Sequence, residues 1–282
     1  MTFLHGTSVL LINQTNATSQ SNVFSYKFPN GSVTFKDREI AVSSIIIPYS
    51  WYNITSQYLN TSFTLIVPTT DGVTNTTLNI TIPDGFYTIS QLNSFIQKQL
   101  ISSNFYLVNA NAQNVYYIEI VANSNLNLAQ INCYVVPNAL PIGFANPGWI
   151  LPAIGTRVIQ FVVNNSAFGS LIGFTNATYP SNQTQASTYS VSSNQMPQIS
   201  PVSSLLCSCS LVNNILSSPS NILTSIPITS AFGTQIIFSP NEFIWVSVLD
   251  GTYSSFNVIF TDQSNNIIKL TDSNVTINLV LK

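Results

Sequence analysis

The chain has 282 residues, 45% apolar and 11% aromatic but only 6% charged, with a net charge of −2. Aromatic content at that level excludes a disordered chain. Of the seven Lys and Arg only Lys36 and Arg38 stand close, beside Asp37 and Glu39, which excludes a binder of phosphate backbones.

Residues 1–30, rich in Asn, Ser, Thr and Gln after the first dozen, read as an extended N-terminal arm closing on Asn30-Gly31. Strand patterns follow at Val33–Phe35, Ile40–Ile47, Ser62–Val67 and Thr76–Ile82. In the last of these Leu78, Ile80 and Ile82 alternate with Thr77, Asn79 and Thr81. The chain then turns through Pro83-Asp84-Gly85. Ile89, Leu92, Phe95, Ile96 and Leu100 recur at helical spacing behind a Thr88-x-x-Gln91 capping box, which predicts a helix over about 88–102. Those five apolar residues are expected to be buried, with Gln91, Asn93 and Lys98 facing out. The helix is expected to cap an open end of a sandwich.

Strand patterns resume at 105–108, 115–121 and 131–136. A Pro/Gly-rich passage spans 137–155, a strand 158–163, and "AFGSLIGF" at 167–174 reads as a short helix. Residues 175–204 are almost all Ser, Asn, Gln, Thr and Pro, and read as a long polar excursion. Further strands are predicted at 205–212, 222–228, 235–238, 243–249, 256–261, 267–270 and 275–281, with turns at Asp250-Gly251 and 262–266. Many short strands spaced by turn residues argue for an all-β protein, an antiparallel sandwich of the jelly-roll kind with one inserted helix. Residues 31–282 are read as one domain.

The residues offer little chemistry. The single histidine, His5, lies in the arm without an acid near it in sequence. The nine acids sit mostly at turns and strand ends, and no pair shows the apolar context of a glycosidase. Asp262-x-Ser264-x-Asn266 places oxygens at alternate positions as a calcium loop does, but lacks the Gly and the later Glu, so it reads as an Asx turn. Cys133, Cys207 and Cys209 make no disulfide framework or metal quartet. They read as buried free thiols, Cys207 and Cys209 on one face with Leu205 and Leu211. The expectation is no enzyme, no cofactor and no metal.

The sequence holds no run of 18 apolar residues, so no membrane-spanning segment is expected, and the first residues lack the basic and apolar regions of a signal peptide. Asn-x-Ser/Thr matches such as Asn13, Asn53 and Asn60 follow from an Asn/Thr-rich composition. Two aromatic clusters stand out: Tyr49, Trp51 and Tyr52, and Tyr116 with Tyr117. Exposed, they would form a protein interface or a sugar platform; otherwise they belong to core or sheet-edge packing. Sparse charge favours the interface, because it fits a subunit covered by neighbours rather than a freely diffusing monomer.

The succession "LLCSCSLVNN", "NILTSIPI", "FGTQIIFSPNEFIWV" and "FNVIFTDQSNNIIKLTDSNVTINLVLK" resembles the penton and minor capsid proteins of virophages and Polinton-like viruses, of the adenovirus-type jelly-roll capsid lineage. "IPDGFYTISQLNSFIQKQL" and "SLIGF" are similar to stretches of the same proteins. The resemblance spans residues 30–282 in outline. It implies a structural capsid protein, a single jelly roll standing upright in an icosahedral shell. Five copies would close each vertex, with trimeric major capsid proteins as neighbours and the virion as location. It supplies no catalytic residues. A β-sandwich glycan-binding or host-attachment module is the alternative.

Overall fold

The computed structural model describes residues 2–3, 8–70 and 74–282. The chain forms two compact units. The first comprises Met1–Trp51 and Val202–Lys282, and the second Tyr52–Pro201. Its principal elements, in chain order, are β1 (Ser8–Ile12), β2 (Val23–Lys27), β3 (Glu39–Pro48), β4 (Ser62–Pro68), β5 (Asn75–Thr81), α1 (Ile89–Ser102), β6 (Ile118–Asn123), β7 (Leu128–Cys133), β8 (Gln160–Val163), α2 (Ser166–Ile172), β9 (Ala177–Tyr179), β10 (Tyr189–Ser192), β11 (Ser204–Cys209), β12 (Ile222–Pro227), β13 (Gln235–Phe238), β14 (Ser255–Asp262) and β15 (Thr276–Leu281).

The first unit contains two antiparallel sheets that build a jelly roll: one follows the path β13-β3-β15-β1, with the short extra strand Val246–Ser247 also paired to β3, and the other is four-stranded, ordered β12-β11-β14-β2. Along the chain β1, β3, β13 and β15 fall in one sheet and β2, β11, β12 and β14 in the other. This is the two-Greek-key strand order of a jelly roll. Alternation along each strand explains the core: Ile277, Leu279 and Leu281 of β15, Phe256, Val258 and Phe260 of β14, and Leu205, Cys207 and Cys209 of β11 are all buried. Phe24 of β2 meets Phe260 edge-to-face, ring centroids 5.9 Å apart. Strand β3 is apolar without strict alternation because it carries a bulge. Asn278 pairs with Ser44 and Leu279 with Val42, so Ser43 is skipped. The extra residue re-phases the pleat, and Ile40 and Val42 before it and Ile45 and Ile47 after it are all buried.

The second unit lies in the connection between the third and fourth strands of this jelly roll, β3 and β11. It holds the sheets β9-β8-β4-β5 and β6-β7-β10 with both helices. Helix α1 starts where the capping box predicts: Gln91 N–H donates to Thr88 Oγ1 at 3.2 Å, and Thr88 N–H donates to Gln91 Oε1 at 2.8 Å. Ile89, Leu92, Ile96 and Leu100 are buried in this unit's core, Phe95 is half-buried against it, and Gln91 and Lys98 are exposed. Asn93 is half-buried instead of outward, because its Oδ1 accepts the Ile120 N–H at 3.0 Å and ties α1 to β6. Phe63, Phe161 and Phe168 form a stacked set, with Phe63 4.9 Å from Phe161 and 5.1 Å from Phe168. Helix α2 ends at Gly173, φ 79°, where an added Cβ would stand 2.2 Å from the Gln195 carbonyl oxygen.

Three expectations about organisation need correction. The N-terminal stretch is no free arm: β1 pairs with β15 along residues 8–12 and β2 with β14 along residues 23–27, each supplying a jelly-roll strand. Helix α1 buries its apolar face in the second unit's own core instead of capping a jelly roll, and residues 31–282 divide between two compact units. The polar stretch 175–204 is partly sheet, with β9 on β8 and β10 on β7. Backbone pairing accepts Ser, Thr and Asn side chains readily where one face of a strand meets solvent.

Candidate functional site

The two predicted aromatic clusters have different fates. Tyr49 and Trp51, each 3% exposed, stack on one another with ring centroids 4.3 Å apart, and Tyr49 meets Phe232 edge-to-face at 5.7 Å. Residues two apart on extended chain point the same way, so the alternating "YSW" brings these two rings together as packing. They are not available as an exposed platform. Tyr52 is half-buried in the second unit.

Tyr116 and Tyr117 border a groove of about 420 Å³ in the second unit, lined by residues 115–119, Gln97 of α1, and Tyr134. Tyr117 is buried, edge-to-face with Trp149 at 5.6 Å, and burial raises its phenol pKa. Tyr116 is half-buried beside Tyr106, 6.3 Å between centroids, and its hydroxyl accepts from Asn114 Nδ2 at 3.2 Å. The sequence pattern missed the third ring and the acid. Glu119 Oε1 accepts the Tyr134 hydroxyl at 2.5 Å and Asn132 Nδ2 at 3.0 Å. Asn132 Oδ1 in turn accepts Gln130 Nε2 at 2.8 Å. Cross-strand register explains the network, because Glu119 of β6 lies directly opposite Asn132 of β7. The hydrogen bond to Glu119, then burial, pushes the Tyr134 phenol up to about 12. The alternation of "YYIEIV" puts Glu119 on the face opposite Ile118 and Ile120, but only strand pairing supplies its partners.

The other predicted chemistry falls as follows. Asp262 Oδ1 accepts from Ser264 N–H at 2.9 Å and Asn266 N–H at 2.7 Å, an Asx turn. The three thiols are buried; desolvation raises all of them, Cys133 and Cys209 to about 12. His5 and Asp71 lie outside the described residues. Among the described residues no three of His, Cys, Asp and Glu cluster as metal ligands. Asn53 and Asn60, both in glycosylation-type triplets, are buried and hydrogen-bonded to backbone. Asn53 Nδ2 donates to the carbonyls of Tyr87 and Ile199, and Asn53 Oδ1 accepts the Tyr87 N–H, each at 2.8 Å.

The class that the geometry defines is an all-β protein built on a jelly roll, with a second β-rich unit in the connection between its third and fourth strands. Two solved structures are similar to it along almost their whole length. The mavirus penton protein is 11% identical with a TM-score of 0.43, covering 99% of this chain and 99% of that one. A chain of the Sputnik virophage, determined by cryo-EM, is 13% identical with a TM-score of 0.42, covering 98% and 97%. At these values neither bears on what this chain does. No family model matches the sequence, and no curated protein does.

Proposed function

We propose that the chain is a structural viral capsid protein, a penton-type subunit that closes an icosahedral vertex as a homopentamer and contacts neighbouring major capsid proteins in the virion. The observation that carries this reading is the outer face of the first jelly-roll sheet. Leu10 and Ile12 of β1 point into the core, which leaves Val9 (68% exposed) and Leu11 (52%) outward. On the far strand of the sheet Ile236 is buried and Ile237 is 67% exposed. Ile237 lies opposite half-buried Ile46, and Leu11 opposite Asn278, so these side chains project from one face.

Among the described residues β1 has no partner on its outer edge. An apolar face next to an open strand edge is the kind of surface that side-by-side copies cover. Closed rings remove such edges. The order of sequence motifs and the scarcity of charge support the same reading. Mass in solution and electron microscopy of the purified protein test it: fivefold rings are expected, and a strict monomer at every concentration and salt would sink the reading. The alternative, a glycan-binding or host-attachment module, has less support because Tyr49 and Trp51 are buried. A glycan array separates the two.

A further inference from the structure

We propose that the groove between α1 and the Tyr116–Tyr134 side of the second unit binds an N–H-bearing organic cation, an ammonium or guanidinium head group, on the carboxylate of Glu119. Five observations converge. The groove, about 420 Å³, is large enough for a basic side chain or a small amine. Its carboxylate is held in place, because Oε1 takes both Tyr134 and Asn132 as donors. Its charge has no compensation: among the described residues the one ion pair is Lys282 with Glu39, and no cation lines the groove.

Oε2 is the remaining acceptor, since the protein donors go to Oε1. Three tyrosines border the groove, and aromatic rings favour a cation through their quadrupoles. What sets Glu119 apart from the other acids is its position: a carboxylate anchored by two donors on the wall of a groove bordered by aromatic rings. The free acceptor calls for an N–H donor, which distinguishes this site from one for a quaternary ammonium. A neutral sugar would leave the charge uncompensated.

The test is a ligand-observed NMR titration of the full chain with four probes: n-butylammonium, Nα-acetyl-lysine methylamide, tetramethylammonium and methyl glucoside. Saturable binding of the first two, with Kd of about 1–10 mM, is expected for a single charged contact. Tetramethylammonium, which carries the charge but no N–H or O–H donor, should bind about tenfold more weakly. Tighter binding of the lysine derivative than of butylammonium identifies a protein side chain as the source, and equal binding identifies a small amine.

Glu119→Gln should lose binding by about tenfold or more while near-UV dichroism stays native. Tyr116→Leu, which leaves the Glu119 hydrogen bonds intact, should weaken binding by a smaller factor. Absence of saturable binding by either amine overturns the proposal. So does undiminished binding in Glu119→Gln, or methyl glucoside binding as tightly as the amines. Tetramethylammonium matching the lysine derivative overturns the proposal as well, since the site would then need no N–H donor.

Discussion

Asn53 shows how much one side chain can carry. Its amide satisfies an N–H and two carbonyls of the Tyr87 and Ile199 backbone from a site only 2% exposed. Asn53→Ala leaves those groups without partners and should cost roughly 1–3 kcal/mol for each that water cannot reach, read as a lowered urea midpoint at unchanged slope. The thiols give a second residue-scale prediction. Burial raises Cys133 and Cys209 from an ordinary 9.0 to about 12, and raises Cys207 as well. The folded state therefore favours the protonated form. That contribution is full below pH 9, declines as pH rises past it and is gone above about 12. The raised phenols of Tyr87, Tyr117, Tyr134 and Tyr189 act in the same direction at still higher pH. The urea midpoint should be insensitive to these groups up to pH 9 and fall above it, and a thiol reagent at pH 8 should label the cysteines only after unfolding. Burial of Cys207 and Cys209 was legible from their spacing with Leu205 and Leu211. The role of Asn53 was not, because its partners come from residues 87 and 199.

At the scale of elements, α1 is the clearest case of local sequence deciding local structure. Its start, its cap and four of its five predicted core residues follow from the spacing of "TISQLNSFIQKQL". Two substitutions separate cap from packing. Thr88→Ala should cost about 1 kcal/mol through the lost cap. Leu92→Ala, at 2% exposure, should cost about 2–5 kcal/mol through the cavity it leaves. Equal losses in thermal or urea unfolding would show that the helix is held by something other than its apolar face. What that face packs on was not legible: a helical stripe fits any apolar partner, and here the partner is the core of the second unit, not a jelly-roll end. Strand β3 gives the converse lesson. Its run of apolar residues resists a period-two reading because a bulge changes the phase midway.

For the whole molecule, connectivity matters more than any single contact. The jelly roll takes three strands from before residue 52 and five from after residue 201, and the second unit occupies the chain between them. If the outer sheet face is the contact between copies, Val9→Lys with Leu11→Lys should leave the monomer's unfolding midpoint within about 0.5 kcal/mol of the parent, since both side chains already face solvent. Rings should be lost, seen as a fall to monomer mass in light scattering. Persistence of rings would place the contact elsewhere on the surface.

By itself the sequence determined the all-β class, most of the strands, the capped helix and the inert thiols. These are local properties, set by spacing along the chain and by capping and turn chemistry. Tertiary structure alone decided that the N-terminal stretch forms jelly-roll strands and that the polar stretch adds strands to sheets. It also buried Tyr49 and Trp51 while leaving Tyr116 and Tyr134 on a groove with Glu119. Alternation tells which side chains share a face, but strand partners are chosen across long separations by backbone hydrogen bonds that any residue except proline can donate. An aromatic ring suits a core and an interface equally well, so only the final packing determines which of the two it joins.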